Sequence, residues 1–177
     1  MKTQRITNSL LGIALTFITI GAPPLRAQPA VTSTSQFINQ PTKSTMENQA
    51  AATVKTFLTA VQKGDQATFG ALVHPNIQWN QPGSNRLSGT KKSSTEVFQM
   101  VGLMFEATAN TLRLTDIKQL AVNGNKVACL VHWNGVQPGG GVLDVDNIDV
   151  YTVENGKIVE AAVYSADLKQ EDYFWGK

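Results

Sequence analysis

The sequence predicts an α+β domain in which helices come first and a strand meander follows, so that a curled sheet encloses a cavity with helices closing one side. Three observations predict it. From Leu143 to Asp167, two β-patterned runs flank Glu154-Asn155-Gly156, and an Asn-Gly pair accepts the positive φ that a type I′ hairpin turn demands. A second Asn-Gly pair stands at Asn123-Gly124. Apolar residues at helical spacing precede both pairs.

The elements follow in chain order. Ser44-Thr45-Met46-Glu47 has the form of a capping box, with Ser44 and Glu47 satisfying each other's free backbone N–H groups. Ala50, Val54, Phe57, Leu58 and Val61 continue at helical spacing until Gly64 stops the run. Asp65 is positioned to cap a short second helix carrying Phe69, Leu72 and Val73, which Pro75 ends. Ile77 to Asn80 is short and extended, and Gln81 to Lys92 is a polar loop. Ser93 and Glu96 form a second capping box, ahead of a third helix with Val97, Met100, Val101, Met104 and Phe105 as its apolar stripe. Four β-patterned segments follow, over Thr111–Val122, Lys126–Gly135, Val142–Val153 and Lys157–Ala166. In the second of them, Val127, Cys129, Val131 and Trp133 share one face, while Ala128, Leu130 and His132 share the other.

The N-terminus reads as a leader. Lys2 and Arg5 precede an apolar run from Leu10 to Ala22, too short to span a bilayer comfortably, and Pro23-Pro24 and Leu25-Arg26-Ala27 follow. Residues 1–27 are thus expected to be a cleaved signal peptide, with an N-terminal membrane anchor that stays attached as the alternative, and 28–45, rich in Thr, Ser, Gln and Pro, a disordered linker. The folded domain is expected over 46–177. Cleavage after Ala27 shortens the 177 residues to 150, enough for one domain with a core. It also removes Lys2, Arg5 and Arg26, leaving twelve of the 15 basic residues against 13 acidic ones. That balance argues against a nucleic-acid or anionic-membrane surface. Export to the periplasm or the outside medium follows from the leader. Cys129 is the only cysteine, so no intrachain disulfide forms, and its place in a β run marks it as a buried structural thiol.

With this layout, the chain resembles the nuclear-transport-factor-2-like superfamily, and within it the SnoaL-like and ketosteroid-isomerase-like proteins. The resemblance covers roughly residues 46–177. It is carried by FLTAVQKGDQATFGALVHPNIQW (Phe57–Trp79), QPGSNRLSGT (Gln81–Thr90), NIDVYTVENGKIVEAAVY (Asn147–Tyr164) and EDYFWG (Glu171–Gly176). It implies a curved antiparallel sheet packed on three N-terminal helices, forming a cone with an apolar internal pocket, and a homodimer through the outer sheet face. Members include isomerases, cyclases, dehydratases and epoxide hydrolases, so fold alone does not decide function.

The resemblance also assigns roles residue by residue. The tyrosine of the isomerase oxyanion hole falls on Phe57, which has no hydroxyl. The carboxylate base before a proline falls on Gln81, and an amide cannot take a proton from carbon. The Asp of an Ile-Asp pair in the third strand matches Ile148-Asp149. The acid of the epoxide-hydrolase relatives falls on Val163. Steroid-type isomerisation and epoxide hydrolysis by those mechanisms are therefore disfavoured. Asp149 is the remaining candidate catalytic residue, and by alternation it shares a face with Asn147, Tyr151 and Val153. Alternation does not say whether that face lines the cavity or meets solvent. If it lines the cavity, burial raises the carboxyl's pKa and makes it a hydrogen-bond donor or general acid.

Trp79, Asn80 and Gln81 are candidate ligand contacts near the cone mouth, by stacking and amide hydrogen bonds. With them the candidate binding set is Phe57, Trp79, Asn80, Gln81, Cys129, Val131, Trp133, Asn147, Tyr151 and Val163. No metal site or cofactor is expected: Asp144, Asp146 and Asp149 point to mixed faces of a strand and lack a calcium loop's Gly and Glu. His74 sits at a helix end. His132 lies opposite Trp133 and has no carboxylate partner that the sequence names, so it reads as a surface or dimer-face residue. Pro138-Gly139-Gly140-Gly141 is a hairpin loop without the Lys-Ser/Thr of a phosphate-binding loop. The expected partners are a small apolar molecule and a second copy of the chain. An interaction module with a filled cavity, or an isomerase- or cyclase-type enzyme using Asp149, are the alternatives.

Overall fold

The structure, a computed structural model, describes residues 42–177. The expected leader and residues 28–41 of the expected linker lie outside this range. The elements are α1 (Lys43–Lys63), α2 (Gln66–Leu72), β1 (Val73–Gln81), β2 (Gly89–Lys91), α3 (Ser94–Ala107), β3 (Arg113–Asn123), β4 (Lys126–Val136), β5 (Val142–Glu154), β6 (Lys157–Ser165) and α4 (Leu168–Trp175). The six strands form one sheet in the order β2-β1-β6-β5-β4-β3. Among the described residues, no helix is long and apolar enough to cross a membrane.

Helix α1 starts two residues earlier than the Ser44 capping box implies. Thr42 is the N-cap: its backbone is extended and its hydroxyl accepts from the Thr45 N–H at 3.3 Å. The last residues of the expected linker are therefore helical. Glu47 instead pairs with Lys43 one turn away (3.7 Å) and accepts from the Gly124 N–H at 3.2 Å, tying the helix to the β3–β4 turn. Gly64 ends α1 with φ 69°, a left-handed cap that costs glycine little. Asp65 caps α2, accepting from Thr68 N–H at 3.0 Å. Ser93 caps α3 as expected, accepting from Glu96 N–H at 3.2 Å, but Glu96 reaches the Lys92 N–H (2.7 Å) rather than that of Ser93.

The long strands β3 to β6 form the expected antiparallel meander. Asn155 and Gly156 both have positive φ (50° and 73°) at the β5–β6 turn, the type I′ requirement. At the β3–β4 turn, Asn123 pairs with Lys126, so the two central residues are Gly124 and Asn125, with positive φ at Gly124. Three features go beyond the sequence reading. Strand β1 begins at Val73, immediately after α2, and runs through Pro75. Strand β1 pairs in parallel with β6, through Trp79↔Ala161 and Asn80↔Ala162, so the sheet is mixed. A fourth helix, α4, packs against β5. Register shifts in β1–β6, β3–β4 and β5–β6 bend the sheet, as bulges do. Its concave face, with α1 and α3, holds the core: Val54, Phe57, Leu58, Val97 and Met100 from the helices, and Val127, Cys129, Val131, Tyr151 and Ile158 from the strands.

Candidate functional site

The concave face does not close completely. It leaves a cavity of about 790 Å³ between α1, α2, α3, α4 and the sheet. One wall is aromatic. Phe57 sits at the centre, stacked on Phe69 (5.3 Å), edge-on to Tyr151 (5.5 Å) and 6.5 Å from Trp79. Phe69 in turn meets Phe98 at 5.4 Å. Spacing places these rings together: Phe57 is on the buried stripe of α1, and Trp79 and Tyr151 are on the concave faces of β1 and β5. The α1–α2 corner (Lys63, Gly64, Asp65) and the α3–β3 end (Asn110, Arg113) are exposed residues that border the cavity, which places its mouth there.

Strand β5 carries polar groups next to these rings. Along β5, burial alternates strictly from Leu143 to Tyr151, so Asn147, Asp149 and Tyr151 all face inward and line the cavity. Asp149 is 4% exposed. The Tyr151 hydroxyl donates to its Oδ2 at 2.7 Å, and Oδ1 has no partner. Burial pushes the Asp149 carboxyl up from its ordinary 3.8 to about 7; the Tyr151 hydrogen bond opposes that rise and the Glu171 carboxyl adds to it. Burial and the neighbouring Asp149 also push the Tyr151 hydroxyl well above its ordinary value. It therefore stays a neutral donor at physiological pH.

Glu171 is the residue that sequence reasoning missed. It lies in the first turn of α4, is 2% exposed and lines the same cavity. Burial raises its pKa, while polar neighbours Ser165, Asn147 and Trp175 oppose the rise. The signal was present in EDYFWG: Glu171 stands three and four residues before Phe174 and Trp175, and so shares their helical face. All three are buried. Read as a tail, the segment gave no reason to place a carboxyl inside.

Residues 54–161 match the family model of the SnoaL-like domain. The chain belongs to the SnoaL-like domain family. Among solved structures, it is similar to a protein of unknown function with a cystatin-like fold from Xanthomonas campestris: 36% identity over 72% of this chain and 98% of that one, TM-score 0.68. It is also similar to Bal32a from a soil-derived mobile gene cassette, at 25% identity over 74% and 99% of the two chains, TM-score 0.67. TerC, co-crystallised with polyporic acid, shares the fold at 14% identity over 72% and 99%, TM-score 0.62. No curated protein matches.

In this SnoaL-like cone, Phe57, Trp79, Gln81, Trp133, Asn147, Asp149, Tyr151 and Val163 all line the cavity. Three expected contacts do not. Asn80 is exposed, because strand alternation turns it away from Trp79 and Gln81. Cys129 and Val131 face inward but are covered within the core and do not reach the cavity. Desolvation, reinforced by Asp149, raises the Cys129 thiol to about 11, so it stays protonated and inert. Gln81 is buried, and its Oε1 accepts from the Trp79 indole N–H at 3.2 Å. That bond fixes the indole rather than activating a base.

On the convex face, His132 has carboxylate partners that the sequence did not name. The β4–β5 register puts Asp146 opposite it and Asp144 two residues along. Its ring contacts Asp146 through Nδ1 (2.7 Å) and Asp144 through Nε2 (2.8 Å). All three groups lie outside the cavity. Asp144 and Asp146 face away from Asp149, and among the described residues no cluster of His, Cys, Asp or Glu is arranged to hold a metal ion.

Proposed function

We propose that this SnoaL-like domain binds a small, largely apolar molecule in its cone, with the ligand's polar end at Asp149. One observation carries the reading: an aromatic-walled cavity of about 790 Å³ with a buried carboxyl on its wall. Small-molecule sites occupy roughly 300–1,000 Å³ and combine apolar walls with a few fixed polar groups. The alternative, an interaction module filled by its own side chains, calls for a much smaller hollow. Binding alone accounts for the site. If turnover accompanies it, Asp149 is the acid: with a pKa of about 7 it holds or releases a proton at neutral pH, as a general acid must. TerC, which shares the fold, was crystallised with polyporic acid, which supports a cone of this kind as a ligand site.

The reading includes two further parts that rest on the sequence. The leader exports the domain to the periplasm or beyond. Two copies pair through the convex face, where Ile148 (42% exposed) and Tyr164 (60%) offer apolar surface. The test of binding is titration with the neutral fluorescent probe N-phenyl-naphthylamine, in the native protein and in Asp149→Asn. Enhanced emission that a bulky Val163→Phe substitution abolishes supports the reading. No emission change in the folded native protein overturns it.

A further inference from the structure

Three buried oxygens on one side of the cavity lack a hydrogen-bond partner: Oδ1 of Asn147, Oδ1 of Asp149 and Oε1 of Glu171. Buried polar atoms left unpaired are rare and costly. Here they are grouped. Asn147 and Asp149 are alternate residues on the concave face of β5, about 7 Å apart along the strand, and α4 packs on that strand and carries Glu171. All three side chains line the cavity and are at most 5% exposed. Among the described residues, the ion pairs involve only Lys43, Glu47, Lys126, Glu160, His132, Asp144 and Asp146. No basic side chain there neutralises Asp149 or Glu171.

We propose that Glu171, together with Asp149 and Asn147, receives the protonated amine head of an otherwise apolar ligand. This rests on the small-molecule reading above and names the ligand's class. A primary ammonium carries three N–H donors and no acceptor, which matches three unpaired acceptor oxygens. A ketone or ester offers only acceptors and leaves the Asn147 carbonyl unpaired. The aromatic rings of Phe57, Trp79 and Tyr151 suit the same guest, since aromatic faces attract cations and pack against apolar bodies.

Charge balance sets the proton count. Burial favours the protonated form of both carboxyls. An entering ammonium brings one positive charge, which favours ionisation of a carboxyl beside it, and that proton leaves to solvent. Other groups near the pair do not change charge in this range. Burial holds Tyr151 and Cys129 neutral on β5 and β4. Asp172, half-buried on α4, is held ionised by hydrogen bonds from Ser84 and Asn85. The cavity faces of α3 and β6 bring Met100, Val101, Met104, Phe105 and Val163, none of them titratable, and the charged residues at the mouth are Lys63, Asp65 and Arg113.

The experiment is calorimetric titration of the full chain with phenylbutylamine and with phenylbutanol, its neutral counterpart, between about pH 5.5 and 8, in two buffers of different ionisation enthalpy. The amine should bind more tightly as pH rises, by up to about tenfold per pH unit below the carboxyl pKa, and release up to one proton. The alcohol should show no such rise, and Glu171→Gln should remove the amine's advantage over it. If that variant does not fold, the pH dependence of the native protein decides alone. Amine binding no tighter than alcohol binding at about pH 8, or amine affinity that is flat or falling with pH, overturns the amine site and leaves the small-molecule reading standing. If neither compound binds and N-phenyl-naphthylamine also fails, both readings fall.

Discussion

At the residue scale, Asp149 shows how a single burial changes chemistry. Its carboxyl rises from 3.8 to about 7 chiefly because water is excluded from it. The unfolded chain loses this proton near pH 4 and the folded chain near pH 7. Between those values the folded state binds more protons, so stability falls as pH climbs through the window. The full effect is of the order of 4 kcal/mol at most, and Glu171 adds to it with the same sign. Asp149→Asn should flatten this slope, as read by urea unfolding at about pH 5 and 7.5; an unchanged slope would mean that Asp149 is solvated. Gly83 makes a second case. It has φ +90°, and a Cβ there would run into the Asp172 carboxylate. Gly83→Ala therefore suffers both backbone strain and a clash, and should lower stability by about 1–3 kcal/mol in thermal or urea unfolding.

At the element scale, α4 does more than end the chain. It caps itself through Asp167, which accepts from Gln170 N–H at 3.0 Å, and buries Glu171, Phe174 and Trp175. Its half-buried Asp172 accepts from Ser84 N–H (2.7 Å), the Ser84 hydroxyl (3.0 Å) and the Asn85 amide (2.9 Å). The loop between β1 and β2 is thereby held against the helix, and Arg86 N–H donates to the Gly176 carbonyl at 2.9 Å. Asp172→Ala should lower stability and speed amide exchange at Ser84 and Asn85 while leaving the β5–β6 hairpin protected. Uniform exchange across the domain would contradict a local clamp. Across β4 and β5, His132 is raised by its hydrogen bond and attraction to Asp146. That contribution is present below the unfolded histidine's pKa and fades as pH rises through the folded one. Because the site is exposed, His132→Ala should cost under about 1 kcal/mol at acidic pH and nothing measurable at alkaline pH.

At the scale of the whole molecule, a bent sheet, four helices and an incompletely filled concave face produce the cavity together. Val163→Phe on β6, directly opposite Asp149 in the ladder, fills part of that space. It should weaken probe binding by about tenfold or more, with a smaller effect on unfolding; unchanged probe affinity would place the probe elsewhere. Pairing through the convex face is tested by Ile148→Asp, which should convert a sedimenting dimer into a monomer of unchanged melting profile. A native chain that sediments as a monomer at high concentration removes that part of the reading. By itself, the sequence determined the helix caps at Asp65 and Ser93, the type I′ turn at Asn155-Gly156, the four long strands and the common face of Asn147, Asp149 and Tyr151, though not which way that face turns. Each is written in residues next to or a few positions from one another, where local conformation and strand alternation decide. Only the tertiary structure decided that β1 lies parallel to β6, that Asn80 turns outward, that Cys129 and Val131 stop short of the cavity, and that Glu171 joins Asp149 inside it. Those outcomes depend on which distant surfaces meet and how closely they pack, and no local pattern encodes either.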